Sequence, residues 1–243
     1  MSVLKGEGRV PILFGSTSVA VGSRVHGGYL ARPDLGGEWP TIVVVSPAWG
    51  VTSSVKDICR RLSRQGFAVI APDLYGGKSP SRSVDRESAV RAADSLSPAK
   101  VDRDLADVVG FVANRAGLWS SAEDGLGVFG IGTGGRAAIR TSVASGAAAL
   151  ALAYAPLDET DQVALRAFAG GLLGLYGRGD EVVPVETVSA VRNAAPHAEM
   201  VIYAGVGHDF LDDYGDTYDL EAAADAVERL TGFFEKRLPP APA

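Results

Sequence analysis

The stretch "GVFGIGTGGRAAI", residues 127–139, decides the reading of this chain. An apolar run passes through a glycine-rich bend into a segment of small residues with helical character. A strand, a tight turn and a helix in that order form the turn that carries a catalytic nucleophile in many α/β enzymes. In Gly130-Ile131-Gly132-Thr133-Gly134 the nucleophile position holds Gly132, which has no side chain. The turn is kept and its reactive group is missing.

On both sides of this stretch, strand-like and helix-like segments alternate. "TIVVVSP" (41–47) is a continuous β-branched run closed by proline, the pattern of a strand buried on both faces of a parallel sheet. "SSVKDICRRLSRQG" (53–66) follows with helical spacing and stops at glycine. "FAVIAPD" (67–73), "GLGVFG" (125–130), "AAALALAYAP" (147–156), "GLLGLYG" (171–177) and "AEMVIYAG" (198–205) read as further strands, the alanine-rich one also suiting a helix. Helical patterns lie between them, and a last helix is expected over 219–237. Residues 9–31 alternate as an antiparallel hairpin does. The fold class is therefore α/β, a mostly parallel doubly wound sheet flanked by helices on both faces. The 243 residues read as one domain, with 238–243 as a frayed tail and the polar segment 75–88 as a surface loop or lid.

Composition narrows the function. Hydrophobic residues at 47% and charged residues at 21% are ordinary for a globular enzyme, so a sizeable core is available. A net charge of −6 argues against a nucleic-acid backbone as partner. No long uncharged apolar window reads as a membrane span, and the first 15 residues lack the pattern of a secretory leader. A cytoplasmic protein, monomer or homodimer, acting on a small molecule is expected. The single cysteine, Cys59, lies on an amphipathic helix and reads as a structural thiol. The sequence shows no metal-binding cluster, and "GIGTGG" is a poor dinucleotide fingerprint without a ribose-binding acid downstream, so no cofactor is expected.

Ligands of such sheets sit at the carboxyl ends of the strands. Three segments fall there: the Gly132 turn, "YGRGDEVVP" with Asp180, and "AGVGHDF" with His208. Turn, acid, histidine is the chain order of an α/β-hydrolase triad. Of the three histidines, His26, His197 and His208, only His208 follows a strand through a glycine-rich lead-in. Asp180 is the expected partner, with Glu181 as the fallback.

With "VVVSPAWG", "RRLSRQGFAVIAPDLYGG", "VFGIGTGG", "LLGLYGRGDEVVP" and "VIYAGVGHDF" spread over residues 41–212, the chain resembles the dienelactone hydrolase family of the α/β-hydrolase superfamily. The resemblance implies a cysteine or serine in the turn, working with Asp and His on small lactones and esters. It also implies a glutamate after the third strand, where this chain has Pro47. The nucleophile and its accessory acid are both absent, while the positions of the acid and the base are filled.

A histidine oriented by a carboxylate is a competent base without a covalent partner. Backbone N–H groups of Thr133 and of Ala48 or Trp49 are the expected oxyanion donors. Ser46, Tyr75, Tyr154, Phe210 and Arg136 are expected to contact substrate, and Ser46 and Thr133 are weighed as substitute nucleophiles. Three functions follow. The first is cofactor-free elimination or isomerisation by the His208–Asp180 dyad. The resemblance supports it by analogy with α/β-hydrolase relatives that act as lyases on polyketide lactones. The second is ester or lactone hydrolysis, through activated water or with Gly132 as an engineered replacement. The third is non-catalytic ligand binding.

Overall fold

A computed structural model describes residues 8–117 and 119–238. The run at 41–47 forms the core of strand β3 (Trp39–Val45). Residues 41–45 have no exposed surface. Ile42 and Val44 pack into the apolar core on one face of the sheet, and Val43 and Val45 into that on the other. A strand whose alternate side chains enter two separate cores needs both faces covered, which is why it reads as continuously apolar.

The other strands are β1 (Ile12–Val21), β2 (Arg24–Pro33), β4 (Ala68–Pro72), β5 (Ser120–Ile131), β6 (Ala149–Ala153), β7 (Gly171–Gly177) and β8 (Glu199–Tyr203). They form one eight-stranded sheet in the order β1-β2-β4-β3-β5-β6-β7-β8. The hairpin β1–β2 is antiparallel and joins β4 antiparallel; every other pairing is parallel. Helices α1 (Ser53–Arg64) and α7 (Leu220–Arg237) supply Ile58, Leu62, Leu230 and Phe234 to the first core. Helices α3 (Pro98–Ala113), α4 (Gly134–Ser145), α5 (Glu159–Ala167) and α6 (Val185–Ala194) supply Leu105, Ile139, Leu165 and Val191 to the second. The doubly wound α/β-hydrolase-type architecture expected from the sequence is the one observed. No described helix is long and apolar enough to cross a membrane.

Three boundaries differ from the sequence reading. Strand β5 begins at Ser120 rather than 125, because Ser120 and Ser121 pair with Trp39 and Pro40 before a bulge. The loop expected over 75–88 ends in the first turn of α2 (Arg86–Asp94), since the Asp85 carboxylate caps that helix by accepting from Ser88 N at 2.7 Å. Leu238, placed in the frayed tail, is buried in the first core; residues 239–243 and residues 1–7 of the expected leaderless N-terminus lie outside the described residues. Cys59 is fully buried, and burial pushes its thiol up to about 12, as a structural cysteine requires.

Candidate active site

Between β5 and α4 the chain turns at Gly132 with φ of +51°. L-residues with side chains hold that conformation only under strain. Gly132 N donates to Ala153 O at 2.9 Å and Gly135 N to Gly132 O at 3.0 Å. Among the described residues neither Thr133 N nor Ala48 N donates in these turn bonds. A Cβ at position 132 would meet Pro47 Cβ at 3.4 Å and Tyr154 Cε2 at 3.6 Å, ordinary contacts, so a small side chain would fit there without a clash and only the positive φ stands against it. At Gly134 a Cβ would collide with Ser46 O. That glycine lets α4 start directly against the end of β3, which brings Ser46 and Pro47 beside the turn.

Asp180 follows the carboxyl end of β7. Its Oδ1 accepts from Val182 N and Val183 N, each at 2.8 Å, which fixes the carboxylate. Its Oδ2 lies 2.8 Å from His208 Nδ1. A carboxylate can only accept, so Nδ1 carries the proton and Nε2 is left as the basic nitrogen. Glu181, the fallback acid, is exposed. The His208 ring packs edge-on against Tyr154, centroids 5.0 Å apart. The same Tyr154 ring borders the Cβ position of Gly132, so one aromatic ring ties the turn to the dyad. Gly132, Asp180 and His208 thus converge at the carboxyl edge of the sheet.

The chain places other groups here that the sequence reading did not single out. Asp209, next to His208, has φ of +57° and is buried; its Oδ1 lies 3.5 Å from His208 Nε2 and its Oδ2 2.8 Å from Arg86 Nη2. Arg82 donates to both oxygens of Asp212, at 2.7 and 2.6 Å, and lies 5.1 Å over the Trp49 ring. The segment 75–88 is therefore tied to the histidine loop by two ion pairs. A run of arginines in "SPSRSVDR" and of aspartates in "HDFLDD" was the available signal.

A cavity of about 700 Å³ adjoins the turn through Pro47 and Thr133 and is lined both by apolar side chains such as Leu74 and Leu157 and by charged ones such as Asp94 and Arg140. Neither His208 nor Asp180 nor Gly132 is in its wall. Ser46 and Tyr75 line this cavity as expected. Ser46 Oγ is buried without a hydrogen-bond partner, and Tyr75 OH donates to Ala48 O at 2.7 Å. Three expected contacts are corrected. Tyr154 is buried in the first core and is not in the wall of this cavity. Phe210 is fully buried between Tyr154 and Tyr203, centroids 5.4 and 5.2 Å away, and is core rather than pocket lining. Arg136 lines the cavity, but its guanidinium is held by Asp158 and Asp161, so it is not the free cation an acidic substrate needs.

A family model described as the dienelactone hydrolase family matches residues 26–238. A protein of Methylorubrum extorquens assigned as a carboxymethylenebutenolidase is 32% identical over 243 residues, covering 93% of this chain and 81% of that one. One of Escherichia coli K12 with the same assignment is 30% identical over 250 residues, covering 93% and 88%. The crystal structure of a protein assigned as a dienelactone hydrolase of Klebsiella pneumoniae superposes with a TM-score of 0.82 at 27% identity, over 93% of this chain and 99% of that one. With the strand–turn–helix and the Asp–His pair in the expected chain order, the chain is a dienelactone-hydrolase-like enzyme and belongs to the dienelactone hydrolase family.

Proposed function

We propose that the chain hydrolyses a small lactone or ester through a water activated by His208, without an acyl-enzyme. The observation that carries this reading is the 2.8 Å hydrogen bond from His208 Nδ1 to Asp180, set beside a turn that has no side chain at position 132. The direction of the chemistry is supported by the relatives, whose name, carboxymethylenebutenolidase, denotes action on a lactone. A water in the place left open at Gly132 gives its proton to Nε2 as its oxygen attacks the carbonyl. The N–H groups of Thr133 and of Ala48 or Trp49 then take the oxyanion, and the cavity receives the rest of the substrate. The elimination suggested by the missing nucleophile remains the second reading. It uses the same base and donors but removes a proton from the substrate carbon.

Mass spectrometry of the product separates the two. Hydrolysis adds one water to the substrate, whereas elimination divides it without adding one. The same assay applied to Gly132→Ser tests the role of the turn. The added Oγ takes the place of the water, so kcat and kcat/KM on the lactone are expected not to rise. A gain of orders of magnitude with a trapped acyl-enzyme would show instead that the site is built for a covalent nucleophile.

A further inference from the structure

We propose that the cavity selects a substrate whose non-reacting part carries an ammonium group over one that carries a carboxylate, with Asp94 as the discriminating residue. The inference rests on the hydrolase reading above and names the substrate class of that same site. The cavity meets the turn at Pro47 and Thr133, so in that reading the part of the substrate beyond the carbonyl lies against the rest of its wall. Among the described residues the charged side chains of the wall are Asp94, Arg136, Arg140, Asp158 and Asp161. Both arginines are already neutralised. Arg136 holds Asp158 and, at 2.9 Å, Asp161. Arg140 holds Asp102, with Nη2 at 2.8 Å and Nε at 2.9 and 3.0 Å from its carboxylate oxygens. The arginines tied to the histidine loop are spent in the same way, Arg86 on Asp209 and Arg82 on Asp212. An incoming carboxylate would have to displace an aspartate to gain any of these cations, and would otherwise bring like charge to the wall.

Asp94 is the exception. It is exposed, and among the described residues no hydrogen bond or ion pair reaches its carboxylate. It is the last residue of α2, where the free carbonyl groups already carry partial negative charge, so the helix gains nothing from an acid there. Its charge is felt inside the cavity. Burial foremost, then Asp94 and Asp73, pushes the Tyr75 phenol of the same wall up to about 12. The wall also holds Ser46, 8% exposed, whose Oγ is without a hydrogen-bond partner. An unpartnered carboxylate and an unpartnered hydroxyl in one wall fit a group that donates hydrogen bonds. An ammonium group donates three and accepts none, and it carries the charge that Asp94 lacks.

The test measures kcat/KM for p-nitrophenyl esters of matched chain length: the ε-aminocaproate, the heptanoate and the hydrogen pimelate, which end in an ammonium, a methyl and a carboxylate group. Each value is divided by the rate of the same ester in buffer alone, which removes differences in intrinsic reactivity. In the parent protein the aminocaproate is expected to exceed the pimelate by about fivefold, the scale of one exposed ion pair, with the heptanoate between them. Salt at about 1 M should compress that ratio, because it screens the charge of Asp94. Asp94→Asn is expected to bring the ratio near unity, and Asp94→Lys to invert it. Thermal unfolding of both variants beside the parent verifies the fold, and the parental ratio and its salt dependence need no variant. A parental ratio at or below unity, a ratio that salt does not change, or one that a folded Asp94→Asn protein retains would each overturn the proposal. If the parent hydrolyses none of these esters nor any lactone, the hydrolase reading falls and takes the substrate class with it. Hydrolysis without the charge preference removes the substrate class alone.

Discussion

His208→Ala is expected to lower lactone or ester turnover by about 10²–10⁴-fold, the range associated with loss of a general base. Asp180 is spent on Val182 N, Val183 N and the histidine itself. Thr133 and Ala48 contribute backbone N–H groups, which donate and cannot take a proton. The loss should appear in kcat, because the base acts in the transition state rather than in holding the ground state. The histidine also packs against Tyr154, so its removal leaves a gap beside a buried ring. Thermal unfolding of the variant separates that packing cost from lost chemistry. A folded His208→Ala protein with parental turnover would remove the dyad from the mechanism.

Asp180→Asn is expected to cost nearly as much, about 10⁴-fold where an equivalent acid in a serine-type triad has been neutralised. The reason is the direction of one hydrogen bond. Asn can keep its oxygen on Val182 N and Val183 N, the positions that fix the residue. Its NH₂ then faces His208 Nδ1, a donor where the parent has an acceptor. Nδ1 must present its lone pair, the ring proton moves to Nε2, and the base is lost in the resting enzyme. The imidazolium formed in the reaction also loses its counter-charge. Since both variants disable one unit, the double variant should be little worse than His208→Ala alone. Turnover and pH profile of the three variants beside the parent check this. Independent, multiplying losses would contradict a dyad.

The sequence carried those parts of the site that depend on local backbone signals. The β-branched run at 41–47 has the pattern of a strand covered on both sides, and residues 41–45 form one. The glycines after β5 fit a turn at positive φ and a close helix start, and the order turn, Asp180, His208 followed from strand ends. Asp180 also wins over Glu181 for a local reason, because its carboxylate reaches N–H groups two and three residues on. The parts it did not carry are set by partners distant in the chain. Arg86 meets Asp209 and Arg82 meets Asp212 only once the segment 75–88 crosses to the histidine loop. Arg136 read as a possible anion holder until the fold brought Asp158 and Asp161 to it. Phe210 shows a related gap: an aromatic just past a strand fits a pocket wall or a core, and here Tyr154 and Tyr203 enclose it.

In the proposed reaction the enzyme forms no bond to its substrate, because position 132 has no side chain. Intact-protein mass spectrometry of enzyme quenched during steady turnover of a lactone or ester tests it most directly. The candidate oxygens for an adduct are the unpartnered Ser46 Oγ and the Thr133 hydroxyl beside the turn. The protein is expected to keep its unmodified mass throughout turnover, in the parent and in His208→Ala alike. An acyl adduct on Ser46 or Thr133 that forms in the parent and disappears in His208→Ala would contradict it.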